Sequence, residues 1–143
     1  MRSTKWTWKN VDFPKDDAQR LALEFEAAVI DAGLAPVEWD KAESHHVELL
    51  AHLGDVYSRL GRLEKGLEVD QTLVRIRPQE PIFHYNLACS HSRLGNIEPA
   101  LEALRIAVHL GYDNFEHLRT DEDLDNLKRD GRFHELLKQF EPS

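Results

Sequence analysis

Apolar residues in the middle of the chain recur at helical spacing, and the pattern then repeats itself. Leu50, Leu53, Gly54, Tyr57 and Leu60 fall on one face of a helix. Gly61 follows, a residue free to take the positive φ that ends a helix. Leu63, Gly66, Leu67 and Val74 then form the inner face of a second helix, and Pro78 and Pro81 break the chain before the pattern returns. Residues 47–80 align with 81–114 without a gap, with nine identities over 34 positions. Among them Ser58 meets Ser92, Arg59 meets Arg93, Gly61 meets Gly95 and Glu64 meets Glu98. Small residues at Gly54/Ala88 and Gly66/Ala100 let the two helices of a unit approach closely. Such a helix–turn–helix unit cannot bury its apolar face alone and has to stack on its neighbours.

The flanks read as helices too. Pro14 to Gly33 predicts a long N-terminal helix with Leu21, Phe25, Ala28, Val29 and Ala32 as its apolar face. Asp16 and Asp17 suit its positive start, Gly33 its stop. Asp40 is the expected cap of the helix that follows, with Glu43 three residues on. Near the C-terminus, Thr120 with Asp123 reads as another helix start, and Leu124 and Leu127 give it a short apolar face. Gly131 interrupts that face, and Phe133, Leu136, Leu137 and Phe140 make the next one.

A 34-residue helical hairpin with this placement of small and large residues resembles the tetratricopeptide repeat. The matching positions are Leu53-Gly54, Tyr57, Gly61, Gly66 and Pro78 in the first unit, and Leu87-Ala88, Gly95, Ala100, Leu104 and Ala107 in the second. The sequence departs from the family pattern at Asp70 and Leu104, where an aromatic is usual, at His91 opposite Tyr57, and at Tyr112 in place of the closing proline. Asp123-Leu124, Leu127, Asp130, Arg132-Phe133 and Leu136-Leu137 resemble the segment that closes bacterial arrays of this family. The resemblance implies an all-α domain, a short right-handed superhelical solenoid of stacked antiparallel hairpins with capping helices at both ends. Its expected parts are an N-terminal arm (1–13), an N-terminal helix and connection (14–46), repeat one (47–80), repeat two (81–114) and a closing segment (115–143). It also implies that the first helix of each unit faces a groove. Carried over, the candidate groove residues are His52, Asp55, Arg59, Tyr85, Asn86, Cys89 and Arg93.

Composition narrows the function without naming it. With 143 residues and 41% hydrophobic positions the chain suits one globular domain. No apolar run reaches membrane-spanning length, and the charged start MRSTKWTWKN has no apolar signal core. One cysteine excludes an internal disulfide framework and fits a reducing compartment, so the expected location is cytoplasmic. A net charge of −8 opposes nucleic acid and anionic membrane as main partners.

Catalytic signals are missing: there is no glycine-rich phosphate loop, HExxH or nucleophile elbow. Eight histidines invite a metal, but His45 and His46 are adjacent, and His45/His52 and His84/His91 stand seven apart, so no one helix offers a chelating pair. Cys89 is expected to be a structural thiol, and no cofactor or metal is expected. Asp70 is the one acid set into an apolar helix face and is expected to stay wet. Trp6 and Trp8 either fold back on the first helix or form an aromatic docking arm.

These readings lead to a non-catalytic protein-interaction module. Arg59 and Arg93, at equivalent places, would form a ladder gripping an acidic segment of a partner protein, since a guanidinium fork takes a carboxylate two bonds at a time. The alternative is a self-associating scaffold element, a homodimer through end faces or the aromatic arm.

Overall fold

The computed structural model describes residues 15–143, and every regular element among them is helical. The main helices are α1 (Lys15–Leu34), α2 (Ser44–Arg59), α3 (Leu63–Ile76), α4 (Pro81–Arg93) and α5 (Ile97–His109). Three shorter ones follow: α6 (Phe115–Thr120), α7 (Asp125–Lys128) and α8 (Gly131–Phe140). Short 3-10 turns cover Trp39–Lys41 and Glu122–Leu124. The fold is all-α, as expected. No helix among the described residues is long and apolar enough to cross a membrane. Trp6 and Trp8 lie outside the described residues.

Glycine sets the turns that follow α2, α4 and α5. Gly61 and Gly95 take φ of +71° and +79°, and the same stop recurs at Gly111, φ +113°, after α5. Behind Gly61, the Arg62 N–H donates to the Tyr57 carbonyl at 2.9 Å and the Gly61 N–H to Ser58 at 3.1 Å, the paired bonds of a Schellman motif. The pair recurs at Asn96 N to His91 O, 2.9 Å, and Tyr112 N to Ala107 O, 2.9 Å. So short a connection reverses the chain, and each helix packs on the next from α1 through α5. Pro81 opens α4 at its first turn, where its missing N–H is not needed.

Two starts differ from expectation. Asp40 lies in the 3-10 turn, and the N-cap position of α2 is held by Glu43, whose N–H donates to His46 Nδ1 at 3.1 Å and whose carbonyl takes the His46 N–H at 3.0 Å. Thr120 ends α6, and Asp121 caps the 3-10 turn through the Asp123 N–H at 3.0 Å.

The core has two parts. Leu34, Val47, Leu50, Leu53, Val56, Tyr57, Val69 and Leu73 bury the seam of α1, α2 and α3. Ala88, Leu101, Leu104, Leu118, Leu124, Leu127, Phe133 and Leu136 bury that of α4 to α8. The face assigned to α1 is corrected by this packing. Ala27 and Leu34 are its buried residues, with Leu23 and Ile30 half-buried beside them. Leu21, Phe25 and Val29 face away from the core, 61%, 72% and 55% exposed. The helix carries two apolar stripes, and α2 covers only the one running through Leu23, Ala27, Ile30 and Leu34.

Ser92 ties the closing segment to α4. Its side chain is fully buried, its Oγ accepts from the Leu127 N–H at 3.2 Å, and its carbonyl accepts from Asn126 Nδ2 at 2.9 Å. Ser92→Ala leaves that N–H buried without an acceptor, so urea denaturation should show a loss of about 1–3 kcal/mol. A change within experimental error would mean that the bond is not made.

Candidate functional site

A cavity of about 320 Å³ opens between α2, α3, α4 and the turn after α6. It brings together five of the seven expected groove residues, Asp55, Tyr85, Asn86, Cys89 and Arg93. Its wall also takes in Asp70 from α3 and Asp121 and Asp123 from the turn. His52 and Arg59 do not line it. His52 is exposed on the α1 side of α2, with Nε2 2.5 Å from Glu26 Oε1. Arg59 is exposed and forms no ion pair among the described residues.

The two arginines therefore do not make a ladder. Arg93 is committed inward: Nη1 donates to Ser58 Oγ at 2.7 Å, and Nε lies 3.7 Å from Asp123 Oδ1. Tyr85 is not a free flat contact either. It is 3% exposed, its ring stacks on Tyr112 at 4.4 Å, and its hydroxyl donates to Asp121 Oδ2. Burial, then the neighbouring Cys89 and Asp121, holds the phenol well above its ordinary range.

Asp121 organises this end of the cavity. Besides Tyr85, His117 Nε2 approaches Oδ2 at 3.3 Å, and Lys128 Nζ donates to the Asp121 carbonyl at 2.8 Å. The Cys89 Sγ lies 3.8 Å from Oδ2. Burial and the Asp121 charge push the thiol far up, so it stays protonated at neutral pH and is a poor nucleophile. Burial and Asp121 also raise Asp123, against the pull of Arg93. Cys89, Asp121 and Asp123 each bring a ligand atom within 4.8 Å of the others. The cluster joins α4 to a turn 32 residues away, so no ligand spacing within one helix signals it.

Asp70 is the second correction. Expected to stay wet, it is 7% exposed, with Ser90 Oγ donating to Oδ2 at 2.5 Å. Burial lifts its pKa to about 6, against the lowering by Ser90. The signal in the sequence was real, a carboxylate between Val69 and Leu73, but α4 packs over it where a free helix would leave it in water. Sequence reasoning misses His117, Asp121 and Asp123 as wall residues: Thr120 and Asp123 read there as a helix start, Asp123 also as part of a closing segment, and His117 has no role.

No family model matches the chain, and no solved structure does. A chloroplastic protein of Arabidopsis thaliana is 34% identical over 90 residues, a match covering 61% of this chain and 27% of that protein. The chain thus spans about a quarter of the length of the curated relative it matches.

Proposed function

We propose that the chain is a non-catalytic protein-interaction module of tetratricopeptide-like, stacked-hairpin architecture, and that its groove holds a segment of a partner protein. The observation that carries this reading is the open cavity whose wall combines polar side chains from successive helices, Asp55 and Asn86 among them, and whose one thiol, Cys89, is held protonated. The stacking part is supported by ties that recur at nearly constant separation. Arg93 reaches Ser58 across 35 positions, Leu127 reaches Ser92 across 35, and Arg132 reaches Glu98 across 34. Such a period is what neighbouring units of equal length would give. The Arabidopsis relative is chloroplastic, so it lends no support to a cytoplasmic location, which rests on the cysteine count alone.

A photo-crosslinking residue placed at Asp55, exposed at the cavity, and in parallel at Glu102, exposed on α5, tests the groove. Adducts with a partner segment are expected from position 55 and not from 102. Equal adducts from both, or none from 55, would overturn the groove reading.

The self-association alternative is favoured by one observation, the stripe of Leu21, Phe25 and Val29 on the outside of α1. Its occupant would be the same stripe of a second copy. Sedimentation equilibrium of wild type should then show a concentration-dependent dimer, and Phe25→Glu should shift it to monomer. Identical masses for the two proteins would remove this alternative.

A further inference from the structure

The cavity carries an excess of negative charge. Asp55, Asp70, Asp121 and Asp123 contribute carboxylates, against the guanidinium groups of Arg62 and Arg93. Both guanidinium groups are engaged: Arg62 Nη2 lies 3.4 Å from Glu24 Oε1, and Arg93 is held by Ser58 and Asp123. His117, the remaining basic ring at the wall, sits against Asp121.

Asp70 stands apart within this set. The residue is more than nine-tenths buried, yet it lines the cavity. Among the described residues its one side-chain donor is neutral Ser90, on Oδ2, and no Lys, Arg or His pairs with it. The other oxygen, Oδ1, looks toward Gly54 on α2, 3.7 Å from where a Cβ would stand. That Cβ would also crowd Val69 Cγ1 at 3.0 Å, so the missing side chain at Gly54 keeps the space beside the carboxylate clear. A buried carboxylate facing open space, without a cation, is an unfavourable arrangement that an incoming cation relieves.

We propose that the groove's partner is a cationic segment, one of whose Lys or Arg side chains enters the cavity and pairs with Asp70, while Asp55 meets the segment's charge at the rim. The inference rests on the groove reading above and reverses the acidic preference that the sequence suggested. That preference needed two free arginines, and a carboxylate on the ligand would meet this wall as a like charge. A cavity of about 320 Å³ is of the size to take one long side chain.

Selection of random dodecapeptides on immobilised wild type, Asp70→Asn and Asp55→Arg tests it. The buffer carries EDTA, so that a divalent ion at Cys89, Asp121 and Asp123 contributes to no arm. Wild type should enrich peptides rich in Lys and Arg. A synthetic copy of the leading peptide should bind Asp70→Asn about tenfold more weakly, since one charge-assisted bond is lost. Asp55 is exposed, so Asp55→Arg should fold normally and weaken the same peptide. Enriched peptides that lack a basic bias but are lost on Asp55→Arg would overturn the cationic partner and leave the groove standing. No enrichment, or peptides indifferent to both variants, would overturn both.

Discussion

Phe133→Ala should destabilise the protein by about 3–5 kcal/mol and lower its thermal midpoint by about 10 °C or more. The ring is 1% exposed and belongs to the larger core part, among Leu124, Leu127, Leu136 and Leu137. Helix α8 is short, and Asp130 starts it by taking the Arg132 N–H at 2.9 Å. A helix of 10 residues does not hold itself together in water, so its stability comes from the face it buries. That face packs on α5 and α7. Removing its largest buried group takes away the transfer energy of the ring and leaves a cavity that these neighbours cannot fill without moving. Phe133→Leu keeps most of the volume and should lose no more than about 1.5 kcal/mol. Differential scanning calorimetry of the two variants checks the order. Equal losses would mean that α8 does not close the core. If α8 opens by itself, hydrogen exchange will show it: its amides will lose protection in Phe133→Ala while those of α4 and α5 keep theirs.

The repeat made most of the fold legible. Helix periodicity placed α2 to α5 along the chain, but of the inner face expected for α3 only Gly66 is buried; Leu63, Leu67 and Val74 are half-buried, and Val69, Asp70 and Leu73 take the core positions. The glycine stops at Gly61 and Gly95 were readable, since they sit where only a positive φ lets the chain reverse, whereas Gly33, expected to stop α1, lies inside that helix without a positive φ. What failed was every choice that depended on a neighbour. In α1 two stripes competed on apolar content alone, and the packing of α2 settled on Ala27 and Leu34 over Leu21 and Phe25. The cap of α2 passed from Asp40 to Glu43 because the intervening 3-10 turn uses up the residues between.

At the site, sequence position and side-chain commitment came apart. Asp55, Asn86 and Cys89 reached the cavity as equivalence along the repeat implied. Arg59 and Arg93 occupy equivalent positions, yet they have different neighbours. Beyond Arg93 lie the closing turn and Asp123, which draw the guanidinium inward. Arg59 has no counterpart there. Identity 34 residues apart therefore predicted a shared helix face and could not predict a shared role.

Asp70→Asn should be more stable than wild type near neutral pH, and the gap should vanish in acid. The folded-state pKa of Asp70 is raised from 3.8 to about 6. A raised carboxyl binds its proton more tightly in the folded chain than in the unfolded one. Its contribution to stability is therefore fully present below about pH 4 and is lost as pH rises through about 6. Converted at 1.36 kcal/mol per unit, the loss is about 3 kcal/mol by pH 7.5. Asparagine keeps an oxygen for the Ser90 hydroxyl and carries no charge to strand. Urea denaturation of both proteins between pH 4 and 8 gives a difference curve in which titrations elsewhere cancel. That curve should tilt toward the variant by about 3 kcal/mol across the range. A flat curve would mean that Asp70 is hydrated when folded. A basic peptide adds the second half of the test. If the stranded charge is a docking point, a saturating cationic peptide at pH 7.5 should raise the stability of wild type more than that of Asp70→Asn, because only wild type has a charge for the ligand to neutralise. Equal stabilisation would separate the two properties, leaving Asp70 a source of instability and not of recognition.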